Sequence, residues 1–201
     1  VGIGENFVAS DPLALGQVTD RFIYLEEEDI AKVTLKSVDV WHGSKKVKRP
    51  VATVQNQSNA VEKGEYQHFM LKEIHEQPQV IRDTLAARIS ATRVLEEAFG
   101  NKAGAIFDKV KSVQIVACGT SFHAGQIAKY WLESIAKIPC QVDIASDYRY
   151  RDIIVQAGTL FVVVSQSGET ADTLAALRYA KKMRYIASLA ICNVATSALV
   201  R

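Results

Sequence analysis

The chain is 201 residues long, 48% hydrophobic and 23% charged, with a formal net charge of +2. That is an ordinary globular composition with room for one large domain or two small ones, and the near-neutral balance argues against nucleic acid as a partner. No apolar run reaches the roughly 18 residues that cross a bilayer, and no charged-then-apolar leader opens the sequence, so no membrane partner is expected.

Residues 1–50 read as antiparallel β structure. Asn6–Ser10 predicts a short strand closed by the turn signal Asp11-Pro12. Arg21–Leu25 predicts a second, halted by the acidic run Glu26–Asp29, which reads as a solvated strand end. The alternation from Lys32 to Trp41 predicts one half-buried strand, His42–Lys45 a hairpin turn, and Lys46–Arg49 its return strand, the Lys45–Arg49 cluster being a solvated hairpin tip. So few strands bury no core alone and suggest the tail of a larger domain. Residues 51–67, polar and unpatterned, read as a linker. His68–Gln77 predicts a helix ending before Pro78, Gln79–Ile89 a second with Pro78 in its first turn, and Ala103–Val110 a third.

From Val113 onward strands and helices alternate. The predicted strands are Val113–Ala117, Val142–Ala145, Leu160–Val164 and Tyr185–Ile191. Between them the predicted helices are Phe122–Ile138, Ser146–Arg151 and Ala171–Arg184. This pattern implies right-handed crossovers and an α/β, doubly wound parallel sheet, whose ligands bind at the carboxyl ends of strands where the strand order reverses.

The informative stretch is Leu160–Thr170. Its apolar run predicts a strand buried on both faces, and the residues after it supply Ser165, Gln166, Ser167, Gly168 and Thr170 at the amino end of a helix. Backbone N–H groups and the helix dipole there favour an anion, so the loop reads as a phosphate cradle. It lacks the Gly-Lys-Ser/Thr ending of a nucleotide-binding loop. Cys118, Gly119, Thr120 and Ser121 repeat the chemistry after the first strand. Helix capping is the common use of such hydroxyls, but two matching loops at one sheet edge favour a shared ligand.

Other candidates are weaker. Cys118 lies near a helix amino end that lowers a thiol's pKa, yet no base accompanies it. Cys140 and Cys192 read as core packing. The odd, widely spaced cysteines predict a reduced, cytoplasmic protein without a disulfide or zinc framework. His68 and His75 lack a third metal ligand, and Gly2-Ile-Gly4 lacks the remainder of a dinucleotide fingerprint. No metal or cofactor is expected. The chain begins at Val1 without an initiator methionine and stops soon after a predicted strand, which suggests an excerpt.

Cys118–Ser121 together with Ser165–Thr173 resembles the sugar isomerase (SIS) domain signature. The likeness is closer still to the glutamine–fructose-6-phosphate aminotransferases, or glucosamine-6-phosphate synthases, through Gly4–Asp11, Phe22–Glu27, His68–Pro78 and Ala190–Val194. The resemblance implies a flavodoxin-like three-layer αβα domain. It also implies that residues 1–50 end an amino-terminal-nucleophile-type glutaminase domain, 51–67 are a linker, and 68–201 are a helical lead-in and an incomplete first SIS domain. It implies that Ser165, Gln166, Ser167 and Thr170 hold the phosphate of fructose 6-phosphate, in the loop with Gly168. Cys118 through its backbone, Thr120 and Ser121 would lie along the sugar, in the loop with Gly119. Glutamine supplies nitrogen in such enzymes, which form glucosamine 6-phosphate and are homodimers. Their catalytic groups match no position of this chain, so the resemblance implies an inactive excerpt. The alternatives are a non-catalytic SIS module that senses a sugar phosphate, or a stand-alone sugar-phosphate isomerase.

Overall fold

The computed structural model describes residues 4–10, 12–16, 18–53, 63–195 and 197–200. Most of the expected linker, and Gly2-Ile3, lie outside them. The chain divides into two compact units, residues 1–77 and 78–201.

In the first unit, β1 (Arg21–Ile23) pairs antiparallel with β5 (Val51–Thr53), so the stretch expected as linker opens with a strand. A three-stranded antiparallel sheet holds β2 (Asp29–Val33), β3 (Val38–His42) and β4 (Lys45–Val47) in that order. The single strand expected over Lys32–Trp41 is instead a hairpin. Its turn is tied by Thr34, whose Oγ1 accepts the Ser37 N–H at 2.9 Å, while the Thr34 N–H donates to the Ser37 carbonyl at 2.9 Å. The strand expected over Asn6–Ser10 does not form, and Pro12–Leu15 is a 3₁₀ turn. The β3–β4 turn falls where expected, with Gly43 at φ +58° in the first turn position.

The charged runs on this sheet are not simply solvated. Asp29 has a fully buried side chain and is held bidentately by Arg49, at 2.9 Å to each oxygen. It also accepts the Glu26 N–H at 2.9 Å and lies 3.2 Å from His42 Nδ1. The expectation failed because the partners are 20 residues apart, beyond any local pattern. The Arg49 hydrogen bonds, then the Glu26 amide, hold the Asp29 carboxyl well below its ordinary value of 3.8.

Helix α1 spans Phe69–Leu85 with Pro78 inside it, so the two helices expected here are one. None of its residues is buried, which lets water serve the Ile74 carbonyl that proline leaves without an amide.

In the second unit, α2 is Ala103–Phe107. A four-stranded, wholly parallel sheet follows, comprising β6 (Ser112–Ala117), β7 (Cys140–Ile144), β8 (Thr159–Ser165) and β9 (Ala187–Cys192) in the order β7-β6-β8-β9. The crossovers contain α3 (Gly119–Trp131, continued by one π turn), the short α4 (Ala145–Tyr148) and α5 (Ala171–Ala180). Alternate residues of the central strands feed two cores. Val116, Phe161 and Val163 pack with Tyr148, Ala176 and Leu177. Val113, Ile115, Leu160 and Val162 pack with Ile106, Ala128 and Leu132. The uninterrupted apolar run of β8 is therefore an alternation between two buried faces, and the sheet is the expected three-layer α/β arrangement.

Two outcomes test this architecture. A depressed folded-state pKa contributes stability above the ordinary value that is lost as pH falls through the folded one. Asp29→Asn should therefore lower the melting temperature at neutral pH, with the gap to wild type constant down to about pH 4 and narrowing only below it. Gly125, buried on α3, would place a Cβ 3.1 Å from both Ile115 Cγ2 and Val142 Cγ1. Gly125→Val should cost about 1–3 kcal/mol in a denaturant melt by overpacking.

Candidate functional site

The sheet order reverses its winding between β6 and β8. The chain moves from β6 out to β7, then returns past β6 to β8. These neighbours run parallel, with Ala117 opposite Val164, so Cys118–Ser121 and Ser165–Thr170 leave the same edge side by side. Sequence reasoning placed the ligand at such a switch point.

Each loop has its own local construction. Cys118 is the extended N-cap of α3 and Gly119 takes φ +56°, the left-handed region, with open space where a Cβ would stand. Conformation alone asks for glycine there. Thr170 is the N-cap of α5. Neither N-cap side chain makes a capping hydrogen bond, so capping does not account for Thr170.

Within the second loop the hydroxyls divide. Ser165 is buried, and its Oγ accepts the Gly168 N–H at 3.0 Å. Ser167 is half-buried and accepts the Glu169 N–H at 3.2 Å, which leaves its own O–H to donate elsewhere. Gln166 is exposed, and its backbone carbonyl accepts the Asn193 N–H at 3.3 Å. Gly168 takes φ +68°, and the space of its missing Cβ is filled by the Ser197 hydroxyl and the Cys192 thiol. Its glycine is required from behind, by the segment after β9. In the first loop Thr120 is exposed and Ser121 half-buried.

Thr173, which sequence reasoning did not single out, joins the two loops. It is 1% exposed in the first turn of α5, and its hydroxyl donates to Cys118 Sγ at 3.9 Å. A threonine three residues into an otherwise apolar helix face is the signal that could have found it. Among the described residues the hydrogen-bond partner of Cys118 Sγ is therefore a hydroxyl donor, Thr173.

The acidic side chains near this edge are occupied. Asp172, in the first turn of α5, is paired with Arg149 at 2.7 Å. Glu169 Oε1 accepts the Ala198 N–H at 2.8 Å. The amino ends of α3 and α5 thus keep their positive character, and the edge offers neutral donors to an anion. Elsewhere, burial pushes the Cys140 thiol up to about 11, as a packed and unreactive sulfur requires. The ring of His75 stacks on Tyr66 at 5.5 Å. Among the described residues no three metal-ligating side chains cluster, and no helix is long and apolar enough to cross a membrane.

Comparison with known proteins agrees with this geometry. The SIS domain family model matches residues 106–201. The isomerizing glutamine–fructose-6-phosphate aminotransferase of Pseudomonas syringae pv. tomato is 60% identical over 202 aligned residues, covering 100% of this chain and 33% of that protein. Its Legionella pneumophila (strain Paris) counterpart is likewise 60% identical, with the same coverage. The chain thus spans about a third of the length of the curated relatives it matches. Among solved structures, the C-terminal domain of glucosamine-fructose-6-phosphate aminotransferase from Francisella tularensis superposes with a TM-score of 0.67 at 52% identity, over 70% of this chain and 40% of that one. Residues 106–201 are a SIS domain, and along its whole length the chain belongs to the family of the isomerizing glutamine–fructose-6-phosphate aminotransferases.

Proposed function

We propose that this chain is the part of an isomerizing glutamine–fructose-6-phosphate aminotransferase that holds the sugar phosphate, taking fructose 6-phosphate and releasing glucosamine 6-phosphate. The observation that carries the reading is the convergence of two hydroxyl-bearing loops at adjacent strand ends, bridged by Thr173 and Cys118. The 60% identity to enzymes of that name supports it.

In this reading the Ser167 and Thr170 hydroxyls, the Gln166 side chain and the first-turn amides of α5 donate to the phosphate. Each such bond to a charged acceptor is stronger than a neutral one. Ser165 and Gly168 give the loop its shape. Thr120, Ser121 and the backbone of Cys118 and Gly119 lie along the carbon skeleton. The chain's own contribution is binding and orientation, which presents the carbonyl carbon to ammonia derived from glutamine in the parent enzyme.

The wider assignment follows the same kinship. Residues 1–50, extended by the paired strand Val51–Thr53, would end a glutaminase domain, the rest of 51–67 link it to the sugar domain, and 68–201 form a helical lead-in and the first SIS domain. The parent would be a homodimer without a cofactor. Three unpaired thiols suit a reducing, cytoplasmic setting.

Calorimetric titration tests the assignment. Fructose 6-phosphate should bind, and unphosphorylated fructose should give no measurable heat at the same concentrations. Ser167→Ala combined with Thr170→Ala should weaken fructose 6-phosphate binding about tenfold or more. An unchanged affinity in that double variant would remove Ser167 and Thr170 from the phosphate site.

A further inference from the structure

The proposed phosphate loop contains a carboxylate, Glu169, between Gly168 and Thr170. A free carboxylate there would repel a phosphate dianion at close range. Its placement answers the difficulty. Oε1 accepts the Ala198 N–H at 2.8 Å, so the charge is turned toward the segment after β9.

Among the described residues, that contact is one of three hydrogen bonds between the loop and the same segment. The Gly168 carbonyl accepts the Leu199 N–H at 3.0 Å, and the Gln166 carbonyl accepts the Asn193 N–H at 3.3 Å. Behind Gly168, Ser197 is 1% exposed and its Oγ lies 3.4 Å from Cys192 Sγ. The two backbone bonds and the Ser197 packing do not depend on the identity of residue 169. The Glu169 bond is the one side-chain tie among them, and it enters the loop directly before the N-cap of α5.

We propose that Glu169 is a positioning residue for the anion loop: latched to the Ala198 amide, its carboxylate fixes the loop against residues 193–200 and withdraws its own charge from the anion face. The proposal rests on the sugar-phosphate reading and adds to it a residue that touches no substrate. The hydrogen bond does the work, so an uncharged acceptor of the same length should serve as well. Removing the charge while keeping the acceptor should even ease anion binding slightly.

The test compares Glu169→Gln with Glu169→Ala in the 201-residue chain. Fructose 6-phosphate and inorganic phosphate are each titrated by calorimetry, and exchange of the Ala198 amide is followed by NMR. Glu169→Gln should bind both ligands within about threefold of wild type, and Glu169→Ala should bind both about tenfold more weakly. The Ala198 amide should exchange faster only in Glu169→Ala. A merely structural role would lower the melting temperature of Glu169→Ala but leave both affinities unchanged wherever the protein is folded, and that result overturns the proposal. Equal weakening in Glu169→Gln and Glu169→Ala overturns it too, because the charge would then be the active feature. If wild type binds neither ligand, the sugar-phosphate reading itself falls and takes this inference with it. Binding by wild type that Glu169→Ala leaves intact refutes the positioning role alone.

Discussion

Everything at the candidate site depends on β6 and β8 lying side by side, parallel and buried. Because the chain winds outward to β7 and then back past β6, the connections after β6 and β8 depart toward opposite faces of the sheet. Their first residues nevertheless leave one edge at neighbouring positions, Ala117 being opposite Val164. Two separate helices therefore present their amino ends to one spot. The two cores on either side of the sheet fix this arrangement, since a one-residue slip of β8 would exchange Phe161 and Val163 with Leu160 and Val162 across it.

The electrostatics of this edge rest on neutral groups. A helix amino end contributes about 0.3–1 kcal/mol to a nearby anion at an exposed site. A hydrogen bond to a charged partner contributes about 1.5–3 kcal/mol. Hydroxyl and amide donors therefore outweigh the dipoles, and their orientation matters more than net charge. The pairing of Asp172 with Arg149 is consistent with that balance, because it leaves neither an unpaired carboxylate nor an unpaired guanidinium in this pair beside the helix end.

The sheet and its loops were legible in the sequence because two-sided burial writes itself as an apolar run, and glycine with hydroxyls punctuates its end. The hairpin within Lys32–Trp41 was not, because alternation continues straight through the Thr34–Ser37 turn and hides it. Pro78 signals a boundary because proline removes a helical hydrogen bond, but α1 is exposed and can leave the freed carbonyl to water. The Asp29–Arg49 pair and the contacts of residues 193–200 with the second loop were illegible for one shared reason. They join positions tens of residues apart, and no local periodicity encodes them. For the same reason the need for glycine at position 168 has no local signal, because the room its missing Cβ leaves is taken by Ser197 and Cys192.

The distance in sequence between the second loop and its brace also has a meaning in time. Glu169 and the Ala198 amide are 29 residues apart, and ribosomes add roughly 5–20 residues per second. For roughly 1.5 to 6 seconds of synthesis the loop exists without the segment that shapes it. β6, β7 and β8 can already pair during that interval, since all three precede the loop. Competence to hold an anion should therefore emerge after the sheet, as a late step gated by the arrival of residues 193–200.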